Sequence, residues 1–153
     1  MANEAVIKYG AAVTLANANG GATSNNQLSA ACAVTYSQSD TADYPDALFV
    51  LVTAGFGGVP TSGQTIDVYI RPLDIDGTAD QPAPPTGAST AEYKGRYATS
   101  FTLHASSASG DAYSAVAYDI PRAGEVYLFN NATGQSLSAN WTLKMTPRTL
   151  GPV

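Results

Sequence analysis

The sequence predicts an all-β fold: an antiparallel, jelly-roll-like β-sandwich of about eight or nine strands, with extended arms at both ends. Three observations carry this expectation. Apolar residues alternate with polar ones in several short runs, as on a half-buried strand. Gly, Pro and Asn cluster between those runs, where turns need them. No long segment carries the period of an amphipathic helix.

The elements follow in order. Residues 5–9 and 11–15 open the chain as strands, and the Asn/Gly/Ser-rich stretch 17–26 follows them. Residues 28–36 form the next expected strand, with Leu28, Cys32 and Val34 in phase. Ala47-Leu48-Phe49-Val50-Leu51-Val52 is apolar throughout, which predicts a strand covered on both faces. Gly55, Gly57, Gly58, Pro60 and Gly63 then break the chain. Ile66, Val68 and Ile70 alternate with Asp67 and Tyr69. Residues 72–91, with Pro82, Pro84 and Pro85, read as a long irregular loop, and such loops are functional or linker-like.

Phe101 and Leu103 alternate with Thr102 and His104, and residues 113–118 and 125–129 give two more strands around Pro121-Arg122-Ala123-Gly124. After the turn at 130–134, Trp141, Leu143 and Met145 alternate with Thr142, Lys144 and Thr146. Pro147 is expected to end that strand, because proline gives no ladder hydrogen bond. An immunoglobulin-like sandwich fits less well: its seven strands need only about 100 residues, and the Cys…Trp…Cys spacing is missing. The whole chain, 1–153, reads as one domain with an N-terminal arm at 1–10 and a C-terminal tail at 147–153.

Composition narrows the function. Hydrophobic residues make up 44% and charged residues only 12%, half of the usual ~25%. The net charge is -5, and the few cations (Lys8, Arg71, Lys94, Arg96, Arg122, Lys144, Arg148) are scattered. That excludes partnership with nucleic acid or an anionic membrane, which needs clustered Lys and Arg. A surface of such low charge density repels little and suits packing against other proteins. Cys32 stands alone, so no intramolecular disulfide forms. The start MANEAVIKYG has neither the cationic nor the apolar region of a signal peptide, and no run approaches the ~18 apolar residues of a membrane span. The expectation is synthesis in a cytoplasm.

Chemistry-bearing residues are few. His104 is the only histidine, and its phase puts it on an exposed face. Cys32 is in phase with Leu28 and Val34, as for a buried, inert thiol. One His and one Cys cannot build a usual zinc site. Asp74, Asp76 and Asp80 are the candidate calcium ligands, with Asp40, Asp43 and Asp46 as a second acidic group. Gly77 comes too early for an EF-hand loop, no Glu closes it, and acidic loops are mostly solvated turns. Neither metal nor cofactor is expected, and no Gly-x-Ser-x-Gly elbow or phosphate loop is present, so the chain reads as non-enzymatic. Tyr36, Tyr44, Tyr93, Tyr97, Tyr113 and Tyr118 flank loops or strand ends, where tyrosine lies on a rim, anchors a protein interface or stacks on a sugar.

The layout resembles a known group. Leu28-Ser29-Ala30-Ala31, Tyr44-Pro45-Asp46-Ala47-Leu48, the run from Pro60 to Ile70, Asp74-Ile75-Asp76-Gly77, Leu128-Phe129-Asn130-Asn131 and the strand with Trp141 follow one another in this order. The chain thereby resembles the small jelly-roll structural proteins of tailed bacteriophages, of the capsid decoration (cement) or head-fibre type. The resemblance implies a virion location on the capsid surface, the major capsid protein as partner, homotrimers, and no catalysis. Extended arms suit that role, because they can add strands to a neighbour's sheet edge. The expected partner-binding residues are Ala5, Val6, Ile7, Tyr9, Val13, Leu15, Arg148 and Leu150. The alternative is a phage tail or fibre domain, or another carbohydrate-binding β-sandwich module.

Overall fold

A computed structural model describes residues 5–38, 44–73, 82–87, 89 and 95–152. The described residues form nine strands: β1 Ala5–Tyr9, β2 Val13–Ala16, β3 Tyr36–Ser37, β4 Asp46–Val52, β5 Thr65–Leu73, β6 Arg96–Thr102, β7 Ala112–Ala117, β8 Ala123–Asn131 and β9 Thr142–Pro152. All ladders are antiparallel, and the described residues contain no helix.

The strands form two sheets. The first runs β1-β9-β4-β7, with β2 also on β9; the second runs β3-β8-β5-β6. β2 pairs with the start of β9, at Leu143–Met145, and β1 with its end, at Arg148–Pro152. They therefore act as one strand interrupted at residues 10–12. With that pair taken as one, the order is the eight-position jelly roll, two four-stranded sheets closed over a shared core.

The core draws on both sheets. Phe49, Leu51, Leu143 and Met145 from the first, with Trp141 just before β9, pack with Ile66, Val68, Ile70, Phe101, Val126 and Leu128 from the second. Trp141 is fully buried, and its indole N–H donates to the Gly21 carbonyl at 2.8 Å. Gly20 lies against the indole, and a Cβ there would run into the ring. That close approach is why glycine stands at that place in the Asn/Gly-rich stretch.

Three expectations are corrected. Residues 28–36 do not form a strand. Asn26, Ser29 and Cys32 donate their N–H groups to Asn130, Leu128 and Val126, and only Tyr36–Ser37 pairs regularly. Each two-residue step along β8 thus takes three or four residues of this segment, so it arches along the edge. It still satisfies the edge carbonyls of β8.

The second correction concerns Pro147, which lies inside β9 rather than ending it. Its carbonyl accepts from Gly10 N at 2.8 Å, so this residue faces the gap between β1 and β2. The missing N–H points where the neighbouring strand is interrupted, and no ladder bond is lost there.

The third concerns β4, whose two faces are unequally covered. Ala47, Phe49 and Leu51 are buried, whereas Leu48, Val50 and Val52 are half-buried on the opposite face. The strand β8 does reach cover on both faces. Val126 and Leu128 enter the main core, while Tyr127 and Phe129 pack with Leu28 on the outside. Pro72 also falls within a strand, near the end of β5. The calcium candidates Asp74, Asp76 and Asp80, and Asp40 and Asp43, lie outside the described residues.

Candidate functional site

The terminal arms pair with each other. The β1 register runs Tyr9↔Arg148, Ile7↔Leu150 and Ala5↔Pro152. The β4 register on the other side of β9 begins at Asp46↔Arg148. Beyond Arg148, β9 therefore has β1 as its only ladder partner among the described residues, and the two project as a two-stranded ribbon. Its sequence Ala-Val-Ile-Lys-Tyr has the β-branched and aromatic content of a strand, and all five residues are exposed.

The ribbon's two faces differ. Ile7, Tyr9, Arg148 and Leu150 share one face by register and alternation; Val6, Lys8, Thr149 and Gly151 share the other. Tyr9 is 54% exposed and Leu150 69%, high values for side chains of this size. The outer edge of β1 carries no ladder partner among the described residues. Proteins usually guard such an edge with charge, proline or a bulge. Here Lys8 is the single guard.

Of the residues singled out from sequence, Ala5, Val6, Ile7, Tyr9, Arg148 and Leu150 come together in this ribbon. Val13 is half-buried against the core. Leu15 is 0% exposed and belongs to the core, so its side chain is not available to a partner. Alternation explains it: Leu15 is in phase with Val13, which lies opposite the core residue Met145, and the bulge between Thr14 and Ala16 brings Ala16 opposite Leu143 on the same face. Leu15 and Ala16 both turn inward there.

One contact of the ribbon, with a tyrosine singled out from sequence, was not itself legible there. The Arg148 guanidinium lies 5.5 Å from the ring centre of Tyr118, which is 67% exposed at the end of β7. Tyr118 precedes Asp119, which adopts a left-handed backbone (φ 53°), as aspartate tolerates in turns. Asp119 accepts from Arg96 at 2.6 Å, and its N–H donates to the Asp46 carboxylate at 3.2 Å. Tyr9, Arg148 and Tyr118 thus run in a line from ribbon to sheet. Tyrosine and arginine are the residue types enriched at interface hot spots.

The remaining chemistry is sparse. His104 is exposed, 3.5 Å from Asp111 and stacked at 5.2 Å on Tyr113. Burial and the Asp111 charge push the Tyr113 hydroxyl up. Cys32 is buried, and desolvation pushes its thiol up to about 12, so it stays protonated at neutral pH and is a poor nucleophile. Among the described residues no three His, Cys, Asp or Glu side chains gather as a metal site, and no helix is long and apolar enough to cross a membrane.

On the outer face of the second sheet, Tyr69 meets Tyr97 edge-on at 5.8 Å and Phe129 at 6.3 Å. Tyr97 is exposed and donates to Ser100 at 3.2 Å. Beside them the Asp67 carboxylate accepts from Thr65 at 2.6 Å and Asn131 at 3.1 Å.

Comparison with family models, with curated proteins and with solved structures gave no match to this chain.

Proposed function

We propose that this chain is a non-enzymatic structural protein of a bacteriophage particle, a decoration protein held on the outside of the head through the β1–β9 ribbon. The observation that supports this reading is the β1 edge, guarded by Lys8 alone, exposed along its whole length and without a ladder partner on its outer side among the described residues. Such an edge binds by adding itself to a neighbour's sheet, with main-chain hydrogen bonds supplying affinity. Net of solvent, each such bond contributes about 1 kcal/mol, so a five-residue strand binds weakly by itself. A lattice of repeated sites compensates through effective concentration, which is the setting a shell surface provides. Ile7, Tyr9 and Leu150 then add apolar contacts, and Arg148 with Tyr118 extends the footprint.

The test is the copy number of this protein in purified particles, measured by mass spectrometry against the major capsid protein. Hundreds of copies per particle support decoration. A handful places the protein on the tail or a single vertex, and absence removes the particle reading.

A second reading is a carbohydrate-binding module, and the pair of Tyr69 and exposed Tyr97 beside Asp67 and Asn131 favours it. A glycan array tests it. Binding that Tyr97→Ala removes supports the second reading, and a blank array counts against it.

A further inference from the structure

We propose that His104 and Asp111, with the Tyr113 hydroxyl beside them, form a binding site for a divalent transition-metal ion at the turn between β6 and β7. Three observations carry the inference. First, His104 Nε2 lies 3.5 Å from Asp111 Oδ2. That is too long for a good hydrogen bond, which spans about 2.7–3.2 Å. It fits two ligands of one metal ion: with bonds of about 2.0–2.2 Å and a tetrahedral angle, the donor atoms stand about 3.3–3.5 Å apart. Second, Asp111 Oδ2 is buried without a hydrogen-bond partner. Third, the Tyr113 hydroxyl is buried in the same way, on a side chain only 8% exposed. Two unmatched polar atoms buried at one turn call for an occupant.

The fold holds the three groups in place. Gly110 N donates to the Thr53 carbonyl at 2.8 Å, and Thr53 N donates to the Asp111 carbonyl at 2.9 Å, which ties the start of β7 to the end of β4. His104 follows the buried Leu103, whose N–H donates to the Gln64 carbonyl. The His104 carbonyl accepts from Ser106 N at 2.8 Å. Asp111 and Tyr113 stand two residues apart where β7 begins, so alternation sets their side chains on one face. The His104 ring lies 5.2 Å from the Tyr113 ring, which orients the imidazole. The Tyr113 hydroxyl faces the His104 main chain without meeting the geometry of a hydrogen bond.

The donor set selects the ion. An imidazole nitrogen with a carboxylate oxygen suits zinc and its transition-metal neighbours, whereas calcium and magnesium take oxygen ligands. Two protein ligands leave the other positions of a tetrahedron to water, and the Tyr113 hydroxyl serves as a hydrogen-bond partner for that water. The His104 side chain is 60% exposed, so the ion has a path from solvent. Such an open site differs from the closed zinc sites that one His and one Cys cannot build, and it binds less tightly than they do. A bound ion pins the turn at 104–111 to the base of β7.

His104 is the only histidine, so its ring protons give one isolated set of NMR signals. The test adds zinc chloride to the full chain, from about 1 µM to about 1 mM. The His104 signals are expected to move and to saturate at one zinc per chain, with a dissociation constant below about 100 µM. Asp111→Asn keeps the side-chain shape, removes the charge and weakens binding at least ~10-fold. Tyr113→Phe weakens it about 2–10-fold, the worth of one hydrogen bond. Calcium chloride leaves the signals in place. Signals that stay fixed up to about 1 mM zinc overturn the proposal. Binding that Asp111→Asn leaves unchanged overturns it too, because the imidazole then holds an adventitious ion only. Saturation by calcium overturns the choice of ion and with it the proposal. Should Asp111→Asn fail to fold, the Asp111 carboxyl carbon of the unaltered, carbon-13-labelled chain decides: it moves in step with the His104 ring, or it stays fixed and the proposal falls. No particle enters this test, so its outcome is independent of the docking reading.

Discussion

Strands β8 and β4 carry similar apolar content but meet different surroundings. Tyr127 and Phe129 on the outer face of β8 are buried under Leu28, because the arched segment at 26–36 runs along that edge. Leu48, Val50 and Val52 on the outer face of β4 stay only half-buried. The difference separates an outer face that the chain covers fully from one that it covers only in part. The ribbon extends the same contrast, since β1 has neither a covered face nor a paired outer edge among the described residues.

Substitutions sharpen that contrast. The largest effect is expected inside β4, where Phe49→Ala destabilises by about 3–5 kcal/mol in urea unfolding. Phe129→Ala, on the covered outer face of β8, follows at about 3 kcal/mol. A loss there below about 1 kcal/mol would mean that Leu28 gives β8 no real cover. High pH gives the next effect. Burial raises the Cys32 thiol from 9.0 to about 12 and, with the Glu125 contact, the Tyr127 hydroxyl from 10.0 to about 12. Between about pH 9 and 12 the unfolded chain loses these protons while the folded chain keeps them. Stability is therefore complete below pH 9 and falls as pH rises through that window. Cys32→Ala makes the fall shallower, as urea midpoints across the pH series show.

Val50→Ala, on the open face of β4, comes next. It costs about 1 kcal/mol or less in urea unfolding. The smallest effect on folding belongs to the ribbon. A chain lacking residues 1–9 keeps its urea midpoint to within about 1 kcal/mol of stability, because a two-stranded ribbon adds little to a closed core.

Much of the fold was legible because its signals are local. The alternations at Ile66–Ile70 and Trp141–Met145 mark strands with one face in the main core, and on β5 the other face is covered as well, since Asp67 is buried and Tyr69 packs with Phe129. Elsewhere tertiary context decided. Leu28, Cys32 and Val34 kept a strand's phase, but the segment arches, because β8 can be served by a bond every third or fourth residue. Pro147 stays in β9 because its neighbour is interrupted there, which lies more than a hundred residues away in sequence. Leu15 goes to the core by its alternation with Thr14, in phase with Val13, whereas the bulge that turns Ala16 inward as well is announced by no local pattern. The ribbon residues were readable as arms, while their pairing and the contact of Arg148 with Tyr118 exist only in three dimensions.

The docking account is tested most directly by cosedimentation with purified shells that lack this protein, comparing the full chain with the chain missing residues 1–9. The full chain should pellet saturably with the shells, and the shortened, folded chain should stay in the supernatant. A shortened chain that still saturates the shells would contradict the account.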